Sequence, residues 1–316
     1  MSIDATTYLP KRARIAWGLG LVLLAIAPFI GVYPVFAMKA LCFAIFACAF
    51  NLLLGFTGLL SFGHAAFLGS AAYVTGWLVR SAGLTPELGI LAGTAFAALL
   101  GLGVGAVAIR RQGIYFAMIT LAMAQMVYFI CLQAPFTGGE DGLQGVPRGA
   151  LFGLIPLADD RVLYYVVLAL FAAVFFGILR IVHSPYGQVL KAIRENEARA
   201  ISLGYEVDRY KLLAFVLSSA IAGLAGSVKT LVLGFATLSD AHWSLSGEVV
   251  LMTLVGGLGT VFGPVAGALV VLAMENYLAQ LGAWVTIAQG VIFVVCVLTF
   301  RRGIVGELGR LLRKPL

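Results

Sequence analysis

The strongest constraint in this 316-residue chain is a series of long apolar runs, separated by short stretches of charge, proline or glycine. They fall at residues 15–32, 35–54, 58–79, 88–109, 113–134, 162–183, 212–233, 247–259, 263–281 and 283–300. A run of about 20 apolar residues matches the hydrocarbon thickness of a bilayer, and inside a bilayer only helices or closed barrels satisfy their own backbone. The expected fold is therefore an all-α polytopic membrane protein of about 8–10 transmembrane helices, two of them broken by glycine. Composition agrees: 61% of residues are hydrophobic and 11% charged, against roughly 45–50% and about 25% in soluble domains. This excludes a soluble enzyme, a disordered chain and a secreted disulfide scaffold.

Charge sets the expected orientation. The net charge is +7, and the chain holds 21 basic residues. With the N-terminus inside, cytoplasmic segments hold Lys11, Arg12, Arg14, Arg110, Arg111, Arg180, Lys191, Arg194, Arg199, Arg209, Lys211, Arg301, Arg302, Arg310, Arg313 and Lys314. Only Lys39, Arg80, Arg148, Arg161 and Lys229 remain elsewhere. Basic residues concentrate in cytoplasmic loops, so both ends are expected in the cytoplasm. Pro28 directly after Ala25-Ile26-Ala27 argues against signal-peptide cleavage, so the first run is expected to stay as a span. The expected organisation is one permease-like domain over residues 1–316, an outer loop at 135–161, a cytoplasmic segment at 184–211 and a basic cytoplasmic tail at 301–316.

Catalytic and metal chemistry find no support. Cys42, Cys48, Cys131 and Cys296 lie in apolar runs without CxxC spacing, and His64, His183 and His242 are far apart. Glu140 and Asp141 sit in a glycine-rich outer segment that lacks the order of a phosphate-binding loop. No catalytic residue, metal site or nucleic-acid partner is expected, and no cofactor bound by the chain itself.

Two segments break the hydrophobic pattern with glycines at similar spacing: Gly55-Phe-Thr-Gly58-Leu-Leu-Ser-Phe-Gly63-His64 and Gly256-Gly-Leu-Gly259-Thr-Val-Phe-Gly263-Pro264. Asn51, Thr57, Ser61 and His64 cluster at the first, and Glu248, Thr253, Glu275 and Asn276 flank the second. Broken helices in the two halves of a transporter point to a translocation site. The competing reading is close helix packing through small residues. As path or hinge residues the sequence nominates Asn51, Thr57, Gly58, Ser61, Gly63, His64, Gly256, Gly259, Gly263 and Pro264.

Residues 184–211 differ from everything around them. Ser184 and Pro185 suit a helix start and Gly204 a helix stop, with Val189, Ile193, Ala200 and Leu203 on one face. Lys191/Glu195 and Glu195/Arg199 are spaced for pairing along a helix. The expectation is one amphipathic helix, resting on the lipid surface or docking a cytosolic partner.

Six strings in order carry a family resemblance. They are Asn51-Leu-Leu-Leu-Gly-Phe-Thr-Gly-Leu-Leu-Ser-Phe-Gly-His-Ala-Ala-Phe67, Gly113-Ile-Tyr-Phe-Ala-Met-Ile-Thr-Leu-Ala122, Thr137-Gly-Gly-Glu-Asp-Gly-Leu143, Ala192-Ile-Arg-Glu-Asn-Glu-Ala-Arg-Ala200, Ser244-Leu-Ser-Gly-Glu-Val249 and Gly256-Gly-Leu-Gly-Thr-Val-Phe-Gly-Pro264. Together they resemble the LivM-type permease subunit of branched-chain amino acid ABC importers over about residues 35–300. The resemblance implies a non-catalytic subunit of the bacterial inner membrane. Its implied partners are a LivH-type permease, two cytosolic ABC ATPases that carry ATP and Mg, a periplasmic substrate-binding protein and membrane lipids. It also implies ATPase coupling through Lys191, Arg194, Glu195, Glu197, Arg199 and Gly204, although Glu197-Ala198-Arg199-Ala200 departs from the importers' Glu-Ala-Ala pattern. An ion-coupled secondary transporter and a urea or short-amide permease remain the alternatives.

Overall fold

The computed structural model describes residues 33–278 apart from residue 154, residues 303–311, and scattered positions within 20–31 and 284–298. The expected spans 15–32 and 283–300, and part of the tail 301–316, lie largely outside the described residues.

Helix α1 (Pro34–Thr57) is apolar on every side and holds no acidic residue, so no face of it prefers water. It forms the centre of the bundle: 94% of its most apolar stretch is buried. Around it pack α5 (Asp160–His183), α8 (Val207–Leu233), α9 (Trp243–Gly256) and α10 (Gly263–Leu278). On the far side of α8 lie α2 (His64–Arg80) and α3 (Pro86–Ala108), with α4 (Ile114–Gln133) outermost. Among the described residues, α1, α3, α4, α5 and α8 are long and apolar enough to cross a bilayer. The all-α polytopic fold expected from the apolar runs is the one observed. Helix α4 presents Tyr115, Met118, Met126, Phe129 and Ile130 outward, a face suited to lipid or another subunit.

Small residues draw the inner helices together. Thr75 Oγ1 donates to Ser227 Oγ (2.8 Å) and to the Gly89 carbonyl (3.0 Å), joining α2, α8 and α3. A methyl on Gly93 would collide with the hydroxyls of both Thr75 and Ser227, and one on Gly226 with the Leu68 backbone. These are close backbone approaches of the small-residue type.

The outer loop is anchored rather than loose. Its glycines bend the chain, with φ +81° at Gly138 and +68° at Gly142. Thr137, fully buried, donates to the Cys131 (2.5 Å) and Ala134 (2.6 Å) carbonyls and so closes the end of α4. Strand β1 (Leu143–Gln144) then pairs antiparallel with β4 (Phe235–Ala236), just beyond α8, with Leu143 opposite Ala236. A short hairpin of β2 (Ala150–Leu151) and β3 (Ile155–Pro156) completes the loop. Arg148 fastens it to the bundle through Asp160 (2.5 Å) and the Val232 carbonyl (3.0 Å).

Helices α9 and α10 are short. At 1.5 Å per residue, their 14 and 16 residues span about 21 and about 24 Å, less than the roughly 30 Å of a hydrocarbon core. Helix α9 begins inside the protein: Ser246 reaches the start of α2, and Ala241 lies against Gly69 in the body of α2.

Candidate functional site

The first expected break is real. Helix α1 ends at Gly58 in the left-handed conformation (φ +79°), where the Gly58 and Leu59 amides bond the Leu54 and Leu53 carbonyls. The chain does not cross straight into α2. Residues 58–63 climb back without helical structure, so that His64 Nε2 meets Ser218 Oγ (2.8 Å), which itself bonds the Ala49 carbonyl (2.6 Å). Ala49 lies about two turns before the end of α1, which places the N-terminus of α2 well inside the bundle.

Such a start exposes amide donors that need partners. Hydroxyls supply them: Thr120 Oγ1 accepts from the Phe62 amide (3.2 Å), Ser61 Oγ from Gly63 (3.2 Å) and Ser246 Oγ from Ala65 (2.9 Å). His64 is ringed by Phe46, Phe50, Phe67 and Phe215 at 4.9–6.5 Å between centroids. Asn51, Thr57, Ser61 and His64 are all buried, so in this conformation they lie among protein groups rather than along an open passage.

The second glycine segment is a tight hairpin between α9 and α10. Methyl groups on Gly256 and Gly267 would strike the carbonyls of Gly263 and Met252 respectively, and these are backbone atoms that cannot swing away. Gly256, Gly263 and Gly267 thus serve close packing, the competing reading of the sequence, while Gly259 (φ +74°) sits in the turn. The turn is held by Asn51 of α1, whose Oδ1 accepts from the Gly259 amide (3.1 Å) and whose Nδ2 donates to the Thr260 carbonyl (2.9 Å). The two glycine segments, some 200 residues apart in sequence, therefore meet at one end of the bundle.

The 184–211 segment comes to the same end, and here the structure corrects one expectation. It is not one helix but two, α6 (Pro185–Glu195) and α7 (Glu197–Ser202), separated at Asn196. Asn196 has extended backbone (φ −157°), and its side chain caps α7 by accepting from the Arg199 amide (2.9 Å). An asparagine competes with helical continuation because its side chain mimics a backbone acceptor. Among the described residues neither Lys191/Glu195 nor Glu195/Arg199 pairs. Leu203, expected on the buried face, is exposed.

The six nominated coupling residues divide by direction. Glu197 turns inward to the buried Lys211 (2.6 Å) and accepts from Gln112 (2.9 Å). Arg194 turns inward to the Gly55 carbonyl, and Lys191 lies over the Phe56 ring at 5.9 Å. Glu195 and Arg199 remain exposed, and Gly204 (φ +87°) closes α7. Next to them Ile201, Leu203 and Tyr205 are exposed apolar side chains beside the charged positions.

One charged site was missed. Lys229, read only as a basic residue outside the cytoplasmic set, forms a buried ion pair with Asp240. Asp240 also accepts from the Thr237 amide (3.3 Å) in a capping box. The Thr237-x-x-Asp240 spacing was the available signal. Lys39 pairs with Glu275 (3.4 Å), and both lysines lie over the Phe43 ring at 5.6–5.7 Å.

A central apolar helix, irregular backbone buried at depth and a charged helix pair against the bundle end together define a polytopic membrane transport protein. The chain belongs to the family of permease components of branched-chain amino acid transport systems, whose family model matches residues 35–300. It is a multi-pass protein of the bacterial inner membrane. It is 28% identical to the high-affinity branched-chain amino acid transport permease LivM of Escherichia coli K12, over 96% of this chain and 76% of that protein. The autoinducer 2 import permease LsrC of Klebsiella pneumoniae is 30% identical, over 62% of this chain and 55% of its own. The ribose import permease RbsC of Bacillus subtilis is 26% identical, over 57% and 58%. No solved structure matches significantly.

Proposed function

We propose that this chain is the LivM-type permease of an ABC importer that carries branched-chain amino acids inward. A second, LivH-type permease would complete the pathway, a periplasmic binding protein would deliver substrate, and two cytosolic ATPases would bind ATP and Mg. The chain itself would bind no cofactor. The observation that carries the reading is the α6–α7 pair, which offers Ile201, Leu203, Tyr205, Glu195 and Arg199 outward from the most basic face. Apolar side chains beside charged ones suit a protein partner, and an ion-coupled carrier has no need of such a surface. Coverage supports the substrate class: the LivM relative aligns with nearly the whole chain, the sugar and autoinducer permeases with about half to two thirds.

Transport would follow alternating access, with Asn51, Thr57, Gly58, Ser61, Gly63, His64, Gly256, Gly259, Gly263 and Pro264 acting as hinge and packing residues of the moving segments. The test is purification of the tagged chain from its own membranes, followed by ATP-dependent uptake of leucine, urea, acetamide and ribose in proteoliposomes. Co-purified ATPases, ATP-dependent leucine uptake, and loss of the ATPases in an Ile201→Asp/Leu203→Asp variant are expected. Uptake without ATP by the chain alone would refute the importer reading. Preference for urea, acetamide or ribose would refute the substrate.

A further inference from the structure

Arg194 occupies a slot built for it. A methyl on Gly58 would lie 3.2 Å from its Cγ, and one on Gly259 3.0 Å from a guanidinium nitrogen. The third wall is Gly55, where a methyl would lie 2.9 Å from the Gly259 amide nitrogen. Three glycines from two distant segments thus leave room for one arginine side chain.

The end of α1 needs what the arginine brings. The last carbonyls of a helix lack partners within it and carry the negative end of the helix dipole. At this end the Leu53 and Leu54 carbonyls bond the Leu59 and Gly58 amides, and the Leu52 carbonyl accepts from Thr57 Oγ1 (3.3 Å). The Gly55 carbonyl accepts from Arg194, a residue of α6. One turn back, Asn51 grips both sides of the α9–α10 turn. That turn cannot flex independently of its helices, because Gly256, Gly263 and Gly267 lock their backbones together.

We infer that Arg194 is a positioning residue that transmits movement of α6 to the α9–α10 hairpin, through the Gly55 carbonyl and the Asn51 clamp. The inference deepens the importer reading and rests on it. It assigns Arg194 a role directed into the permease, distinct from the outward residues of α6–α7 that would meet an ATPase. A guanidinium suits the task because its planar fork stays charged and directional, whereas a lysine offers a point charge on a flexible stem.

The experiment uses the complete transporter purified from its own membranes, with Arg194→Ala, Arg194→Lys and Asn51→Ala variants and the Arg194→Ala/Asn51→Ala double variant. ATPase co-purification, ATP hydrolysis and leucine uptake are measured together. In Arg194→Ala the ATPases co-purify at the wild-type ratio, while leucine moved per ATP hydrolysed falls about tenfold, the factor for one charge-assisted hydrogen bond at the low end of its range. Arg194→Lys recovers part of this ratio. The double variant is no worse than the poorer single one, because both side chains act in one linkage. Wild-type uptake per ATP in Arg194→Ala would overturn the inference, as would loss of the ATPases in step with transport, which would make Arg194 a docking contact. A wild-type chain that purifies without ATPases would instead refute the importer reading and the inference together.

Discussion

The Lys229–Asp240 pair gives the sharpest energetic prediction. The two side chains are only 9% and 5% exposed, so neither charge has water to fall back on. Removing one partner of such a pair strands the other and costs about 3–5 kcal/mol, whereas replacing both with neutral groups of similar size is often close to neutral. Lys229→Met keeps the stem over Phe43 and removes the charge, leaving the carboxylate of Asp240 with only the Thr237 amide. Adding Asp240→Asn removes the stranded charge while keeping an acceptor for that amide. With about 2–4 °C of melting temperature per kcal/mol in a chain of this size, Lys229→Met lowers the thermal midpoint in detergent by on the order of 10 °C. The double variant recovers most of that loss. Thermal unfolding of purified protein, followed by monodispersity after heating, measures both. If the single variant melts like wild type, the pair is not buried as described. If the double variant is as unstable as the single one, the cost comes from packing rather than from an unpaired charge.

Two further outcomes follow from contacts elsewhere. Gly267→Ala and Gly256→Ala place a methyl against fixed carbonyls and should sharply reduce folded yield, while Gly247→Ala on the same hairpin, where the added methyl meets nothing within 4 Å, should be tolerated. Fluorescence-detected size exclusion separates these cases, and equal yields would refute the backbone-packing account. Lys211→Met removes the buried partner of Glu197, which is a quarter exposed, and should cost about 1.5–3 kcal/mol at that hydrogen-bonded charge. Its signature is faster amide exchange in residues 197–202 with the rest of the bundle unchanged; unaltered exchange there would refute a tethering role.

Much of the fold was legible because the signals are local. Apolar runs long enough for a bilayer, Pro at the starts of α1, α3 and α6, and Gly58 and Gly204 at helix ends follow from residue type and spacing. Ser184 was readable as a cap and does accept the Gly187 amide (3.3 Å). The two-helix form of 184–204 was misread because Asn196 is neutral by periodicity. Its role as a cap appears only once the chain turns to bring Glu197 over Lys211.

The sequence by itself determined that this chain is an all-helical membrane protein with two glycine-broken segments and a charged element on its basic face. Hydrophobicity, backbone freedom and loop charge act through neighbouring residues and need no partner. Only the tertiary structure decided that Asn51 holds a turn 208–209 residues away, that Arg194 faces the end of α1 139 residues distant, and that Lys229 meets Asp240 rather than water. A buried polar group must find a partner wherever the packing brings one, and that choice belongs to the assembled bundle rather than to any window of sequence.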